Sequence, residues 1–139
     1  MNIDSIRNGV VLDHIKAGKS MEIYYNLKLN ELDCSVAIIQ NARSMRMGKK
    51  DIIKIDTPME PNLDVLGYLD ANITVNIIRD GVLIEKKHPE PPKKLINVVR
   101  CRNPRCITVT EEQLDAIFLL NASGAYRCAY CDTAIDRKG

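Results

Sequence analysis

The chain has no tryptophan and a single phenylalanine, and aromatic residues make up only 4% of its 139 positions. That scarcity argues against a reader of single-stranded nucleic acid, which stacks bases on aromatic side chains. A dense Lys/Arg run is missing as well: net charge is +2, with 12 basic against 13 acidic residues up to Pro92 and 8 against 5 beyond it. No apolar stretch approaches the roughly 18–20 residues that cross a bilayer. The opening Met1-Asn2-Ile3-Asp4 lacks a positively charged start followed by an apolar run, and neither end carries a lipidation signal. A soluble, cytoplasmic protein without a membrane partner is expected. Catalytic signatures are also absent: there is no Walker loop, no GxGxxG, no GxSxG, and only two histidines. The expectation is a protein with no chemistry of its own.

What the chain does have is cysteine in a pattern. Cys101-x4-Cys106 and Cys128-x2-Cys131 are separated by 21 residues. Two such pairs can close a tetrahedral shell of four thiolates, which suits one Zn2+ per chain. With every ligand position filled by protein, the site reads as structural, since a catalytic zinc keeps a position for water or substrate. Disulfides would use the same residues but fit poorly with a chain showing no export signal. A thioredoxin-type CxxC would have to open a helix after a strand in a βαβ unit, and Cys128 lies close to the C-terminus. Iron in the same thiolate cage remains open on spacing alone. The fifth cysteine, Cys34, precedes apolar residues and reads as a small core residue.

Periodicity predicts strands at Val10–Ile15, Cys34–Gln40 and Asp51–Asp56, and a hairpin of Ile73–Ile78 with Val82–Lys86 around Asp80-Gly81. Helices are predicted from a Ser20 cap to about Leu29, and from a start at Thr57-Pro58 through Leu63, Leu66 and Leu69. The fold class is therefore α+β: a ferredoxin-like β-α-β-β-α-β sheet with an added strand, two helices covering one face. A proline-rich connector, His88-Pro89-Glu90-Pro91-Pro92, sets a domain boundary at 92/93. Beyond it, short strands at Leu95–Arg100 and Ile107–Thr110 predict a small all-β, zinc-ribbon-like domain, in the size range where folds need a metal or other staple.

Some polar residues interrupt these strands. Asp13 and His14 sit in Val11-Leu-Asp-His-Ile15, and Lys54 in Asp51-Ile-Ile-Lys-Ile55. One reading places them toward solvent on a half-open sheet, because strand residues alternate in facing. The other brings Asp13, Lys54 and Lys86 or Lys87 together as a polar pocket able to hold a nucleotide, with a carboxylate for ribose hydroxyls and lysines for phosphate.

Four stretches together resemble the aspartate carbamoyltransferase regulatory chain family: Ile6-Arg-Asn-Gly-Val-Val-Leu-Asp-His-Ile15, Met47-Gly-Lys-Lys-Asp-Ile-Ile-Lys-Ile55, Thr74-Val-Asn-Ile-Ile78, and the two cysteine pairs. The resemblance implies an allosteric nucleotide-binding domain over residues 1–92 and a structural zinc domain over 93–139 that docks on a catalytic chain. It implies CTP, ATP or UTP as effectors in control of pyrimidine biosynthesis, and a regulatory-chain homodimer within a hetero-oligomer. By the same resemblance Asp13 meets the ribose, His14 lies near the phosphates, Lys54 reaches ribose and base, and Lys86 holds the triphosphate. Asn76 and the backbone around Ile6 lie at the base, and Cys101, Cys106, Cys128 and Cys131 hold the zinc. Gly81 stands where the family often has a tyrosine. An alternative of a different class is a zinc-ribbon protein that binds nucleic acid through Arg100, Arg102 and Arg105 around the first cysteine pair.

Overall fold

The computed structural model describes residues 6–111 and 113–135; Met1-Asn2-Ile3-Asp4, on which the export argument rests, lies outside them. The chain divides into two compact units, Met1–Glu90 and Pro91–Gly139.

In the first unit the elements run β1 (Gly9–Lys16), α1 (Ser20–Asn26), β2 (Val36–Ser44), β3 (Gly48–Ile55), α2 (Leu63–Leu69), β4 (Thr74–Arg79) and β5 (Val82–Lys87). They form a five-stranded sheet in the order β2-β3-β1-β4-β5, every neighbouring pair antiparallel. This is the expected α+β plan, with β5 as the added strand. The alternation of β3 shows how the sheet gains two faces. Asp51, Ile53 and Ile55 are buried, while Ile52 and Lys54 between them are half-buried. Val10, Leu12 and Ile15 of β1 and Val75 and Ile77 of β4 join Ile53 and Ile55 in a core closed by Ile23 of α1 and Leu66 of α2. Each such side chain contributes about 1.5–3 kcal/mol of burial free energy. The intervening residues project from the other face.

Helix α1 ends at Asn26, β2 begins at Val36 and β3 at Gly48, and three further departures from expectation have a physical reason. The second helix does not start at Thr57-Pro58. Pro58 and Pro61 bias the residues before them toward extended backbone, and the N-cap is Asn62, whose side chain accepts from Asp64 N at 3.0 Å and Val65 N at 3.3 Å. Ser20 does not cap α1 with its own hydroxyl; the helix entry is held from a distance by Asp51 of β3, whose Oδ2 accepts from Gly18 N at 3.0 Å and Ser20 N at 3.3 Å. The polar stretch after Gln40 continues β2 to Ser44, across an irregularity at Asn41 (φ 60°) where Asp51 Oδ1 accepts the Asn41 N–H at 3.0 Å.

The second unit holds β6 (Lys94–Ile96), α3 (Ile107–Thr110), β7 (Ile117–Leu120), β8 (Tyr126–Cys128) and β9 (Ala134–Ile135), with the strands in an antiparallel sheet in that order. Ile107–Thr110 is one helical turn rather than a strand: Val109 N and Thr110 N both donate to Cys106 O, at 2.9 and 3.2 Å. Its β-branched residues are overruled by the need to turn the chain around Cys106. Asn97 (φ 58°) ends β6 short of Arg100 and locks it to the start of β7, exchanging bonds with Ala116 at 2.7 and 2.9 Å. The single phenylalanine, Phe118, is fully buried at the centre of this sheet with Leu95 and Tyr126. Tyr126 Oη donates to Pro92 O at 2.7 Å, fastening the first residues of this unit to its sheet.

Candidate functional site

Strand register builds a row across the open face of the first sheet: Ala37 opposite Lys54, Lys54 opposite Val11, Val11 opposite Asn76, and Asn76 opposite Lys86. Beside it lies a cavity of about 310 Å3 lined by Val11, Asp13, Ile52, Lys54, Asn76, Ile78 and Leu83. Its floor is apolar and its rim carries a carboxylate, an ammonium and an amide, a combination suited to a flat heterocycle with polar substituents. Asn76 Nδ2 is oriented by Val11 O at 3.2 Å.

Asp13 is fixed by a residue that sequence reasoning passed over. Lys50 Nζ sits 2.9 Å from one carboxylate oxygen and 3.2 Å from the other, and Asp13 Oδ1 also accepts the His14 N–H at 2.6 Å. Burial alone would raise the Asp13 carboxyl, but the Lys50 bond, the His14 N–H and the neighbouring positive charge together hold it below its ordinary value. The signal was available in the sequence: Lys50 is four residues before Lys54 on one strand, and an even spacing shares a face.

His14 owes its position to backbone geometry. The register of β1 slips between Leu12 and Ile15, and His14 takes a left-handed φ of 59°, a conformation that costs a non-glycine residue about 1–2 kcal/mol. Its Nδ1 comes within 3.1 Å of Thr74 Oγ1 on β4. Of the remaining nominated residues, Lys86 lies in the row beside Asn76, while Lys87 faces Glu85 at 3.8 Å. Ile6 does not line the cavity; it precedes β1, in the segment where Arg7 O accepts Gly81 N at 2.9 Å and Asn8 Oδ1 accepts Asp80 N at 3.2 Å. A larger opening, about 540 Å3, lies at the free end of the β2–β3 hairpin around Arg43, Met45 and Lys49. It contains none of the nominated residues.

In the second unit, the ligand sulfurs of Cys101, Cys106, Cys128 and Cys131 all lie within 4.8 Å of one another, and none of these cysteines is in a disulfide. Cys101 and Cys131 are 3.5 Å apart at sulfur, Cys106 and Cys128 3.7 Å. For metal–sulfur bonds of about 2.3 Å, a regular tetrahedron has edges of about 3.8 Å. The donor set fits one structural zinc ion and leaves no position for substrate. Burial pushes the Cys101 thiol up to about 12, whereas the hydroxyl and N–H of Thr133 hold Cys131 down to about 6. A cation shared by the four sulfurs would favour the thiolate form of each. Thr108 and Thr133, each 3.1 Å from a ligand sulfur, were also missed by the sequence reading.

Two family models match the chain: the aspartate carbamoyltransferase regulatory chain allosteric domain over residues 1–90, and the metal binding domain of the same chain over residues 93–139. The chain belongs to the aspartate carbamoyltransferase regulatory chain family. Among its relatives, the regulatory chain of Clostridium botulinum is 47% identical over 134 residues, covering 95% of this chain and 92% of the relative. That of Clostridium acetobutylicum is 46% identical with the same coverage, and that of Bifidobacterium longum 42%, covering 95% and 96%. As an aspartate carbamoyltransferase regulatory chain, the protein is a non-catalytic subunit with an allosteric and a metal-binding domain. The open-face cavity falls within the first matched region and the four-cysteine cluster within the second.

Proposed function

We propose that this chain binds a nucleotide, CTP, ATP or UTP, on the open face of its N-terminal sheet, and that its metal-binding domain docks on an aspartate carbamoyltransferase catalytic chain. Nucleotide occupancy then governs the first committed step of pyrimidine synthesis in the cytoplasm. The observation that carries the reading is the cross-strand row Lys54, Val11, Asn76, Lys86, with Asp13 at its side. In this arrangement Asp13 takes the ribose hydroxyls, Lys54 the ribose and base, and Lys86 with His14 the phosphates. Asn76 and the backbone at Ile6 meet the base edge. Residues 1–92 serve as the effector domain and 93–139 as the docking domain, and two regulatory chains pair within the hetero-oligomer.

Regulation of this kind requires the nucleotide to bind two quaternary states unequally, with a coupling of about 1–3 kcal/mol. Calorimetric titration tests the pocket: Lys54→Ala and Lys86→Ala should each weaken nucleotide binding about tenfold or more, as expected for a lost charge-assisted contact, and leave zinc content unchanged. Parental affinity in both variants would defeat it. Docking is tested by co-elution with the catalytic chain, which Cys101→Ser should abolish.

A further inference from the structure

Both cysteine pairs end in the same short pattern, Cys106-Ile-Thr108 and Cys131-Asp-Thr133. In each, the threonine hydroxyl returns to within 3.1 Å of the sulfur two residues earlier. The matching positions after Cys101 and Cys128 are Asn103 and Tyr130, so only the closing cysteine of each pair is followed by a β-hydroxyl residue. The two threonines differ in setting: Thr108 is 2% exposed, inside the turn of α3, whereas Thr133 is partly open to solvent before β9. A shared contact in unlike surroundings points to the sulfur as what they have in common.

A metal-bound thiolate has only lone pairs to offer, so in such a contact the hydroxyl is the donor. Four thiolates outweigh the charge of a dication, and the anionic excess is stabilised by donors aimed at sulfur. We propose that Thr108 and Thr133 are metal-positioning residues: their hydroxyls donate to the Cys106 and Cys131 sulfurs, direct these sulfurs into the cluster, and slow the loss of metal. Ile107 and Asp132 fall on the outside of these two turns, both exposed.

The test uses the zinc-loaded full-length chain. Zinc content is measured first, then the first-order rate of zinc transfer to an excess of chromogenic chelator, in the parent and in Thr108→Val, Thr133→Val, Thr108→Ser and Thr133→Ser. The cobalt-substituted forms supply a second readout, the sulfur-to-metal charge-transfer band. Each valine variant should release zinc about tenfold faster, in line with the usual effect of removing an outer hydrogen bond to a ligand. Its charge-transfer band should move to longer wavelength, because sulfur lone pairs without a donor lie higher in energy. Serine should restore both. Parental rates and bands in the valine variants overturn the proposal, as do serine variants as fast as valine, which would assign the effect to methyl packing. If buried Thr108→Val does not fold with metal, Thr133→Val decides. A parent without metal is seen in the first measurement and refutes the metal reading itself.

Discussion

Two adjacent residues of β3 carry opposite charges to opposite faces of the sheet. Lys50 reaches Asp13 on the open face, and Asp51 is fully buried on the helix side, accepting N–H groups from Gly18, Ser20 and Asn41. Removing a buried acceptor strands its donors, at about 1–3 kcal/mol each. Asp51→Ala should therefore cost about 3–5 kcal/mol in urea unfolding. Burial would raise the Asp51 carboxyl, but the N–H groups of Asn41, Gly18 and Ser20 hold it below its ordinary value. A carboxyl depressed in the folded state stabilises above its unfolded value of about 3.9 and loses that contribution as pH falls through the folded value. The urea midpoint should drop as pH is lowered from about 5 to 3, and the drop should be smaller in Asp51→Asn. Lys50→Met removes the bridge that holds Asp13 down, and carbon-detected NMR titration should find the Asp13 carboxyl shifted upward. Spacing alone could place Lys50 on the face of Lys54, but not its pairing with Asp13, 37 positions away, nor the bond of Asp51 to Gly18, 33 positions away.

At the scale of elements, alternation and turn chemistry were sufficient where contacts are local. The β4–β5 hairpin turns on Asp80 (φ 52°) and Gly81 (φ 76°), the two positive angles that Asp-Gly supplies in a type I′ turn. Gly9 has a different role. A Cβ there would collide with Ile55 O, so only a glycine lets β1 begin this close to the end of β3. Gly9→Ala should force the two strands apart and lower stability by about 1–3 kcal/mol by the same urea assay. Propensity misled where a site set the backbone. Ile107–Thr110 reads as strand from its β-branched residues, yet it coils because Cys106 must face the other three sulfurs. β7, β8 and β9, none of them expected from the sequence, have only four, three and two residues and no alternating flanks to mark them.

For the whole molecule, two units with separate cores predict separable responses. The second unit, Pro91–Gly139, is below the size at which an apolar core alone usually suffices, and its buried cysteines line the metal site. Chelation should abolish one of two calorimetric transitions and end co-elution with the catalytic chain, while nucleotide titration of the N-terminal unit stays close to parental. Loss of both transitions together would show that the units do not fold independently. Sequence alone determined the strand order of the first unit, the binary faces of its sheet and the four clustered cysteines, because each follows from spacing between near neighbours. Only the tertiary structure decided that Asp13 is held by Lys50, that Asp51 caps α1 from another strand, and that two threonine hydroxyls meet the ligand sulfurs. Those contacts depend on register, on a slip at His14 and on backbone turns of a few ångströms, which are fixed when distant strands pack and leave no periodic trace in the chain.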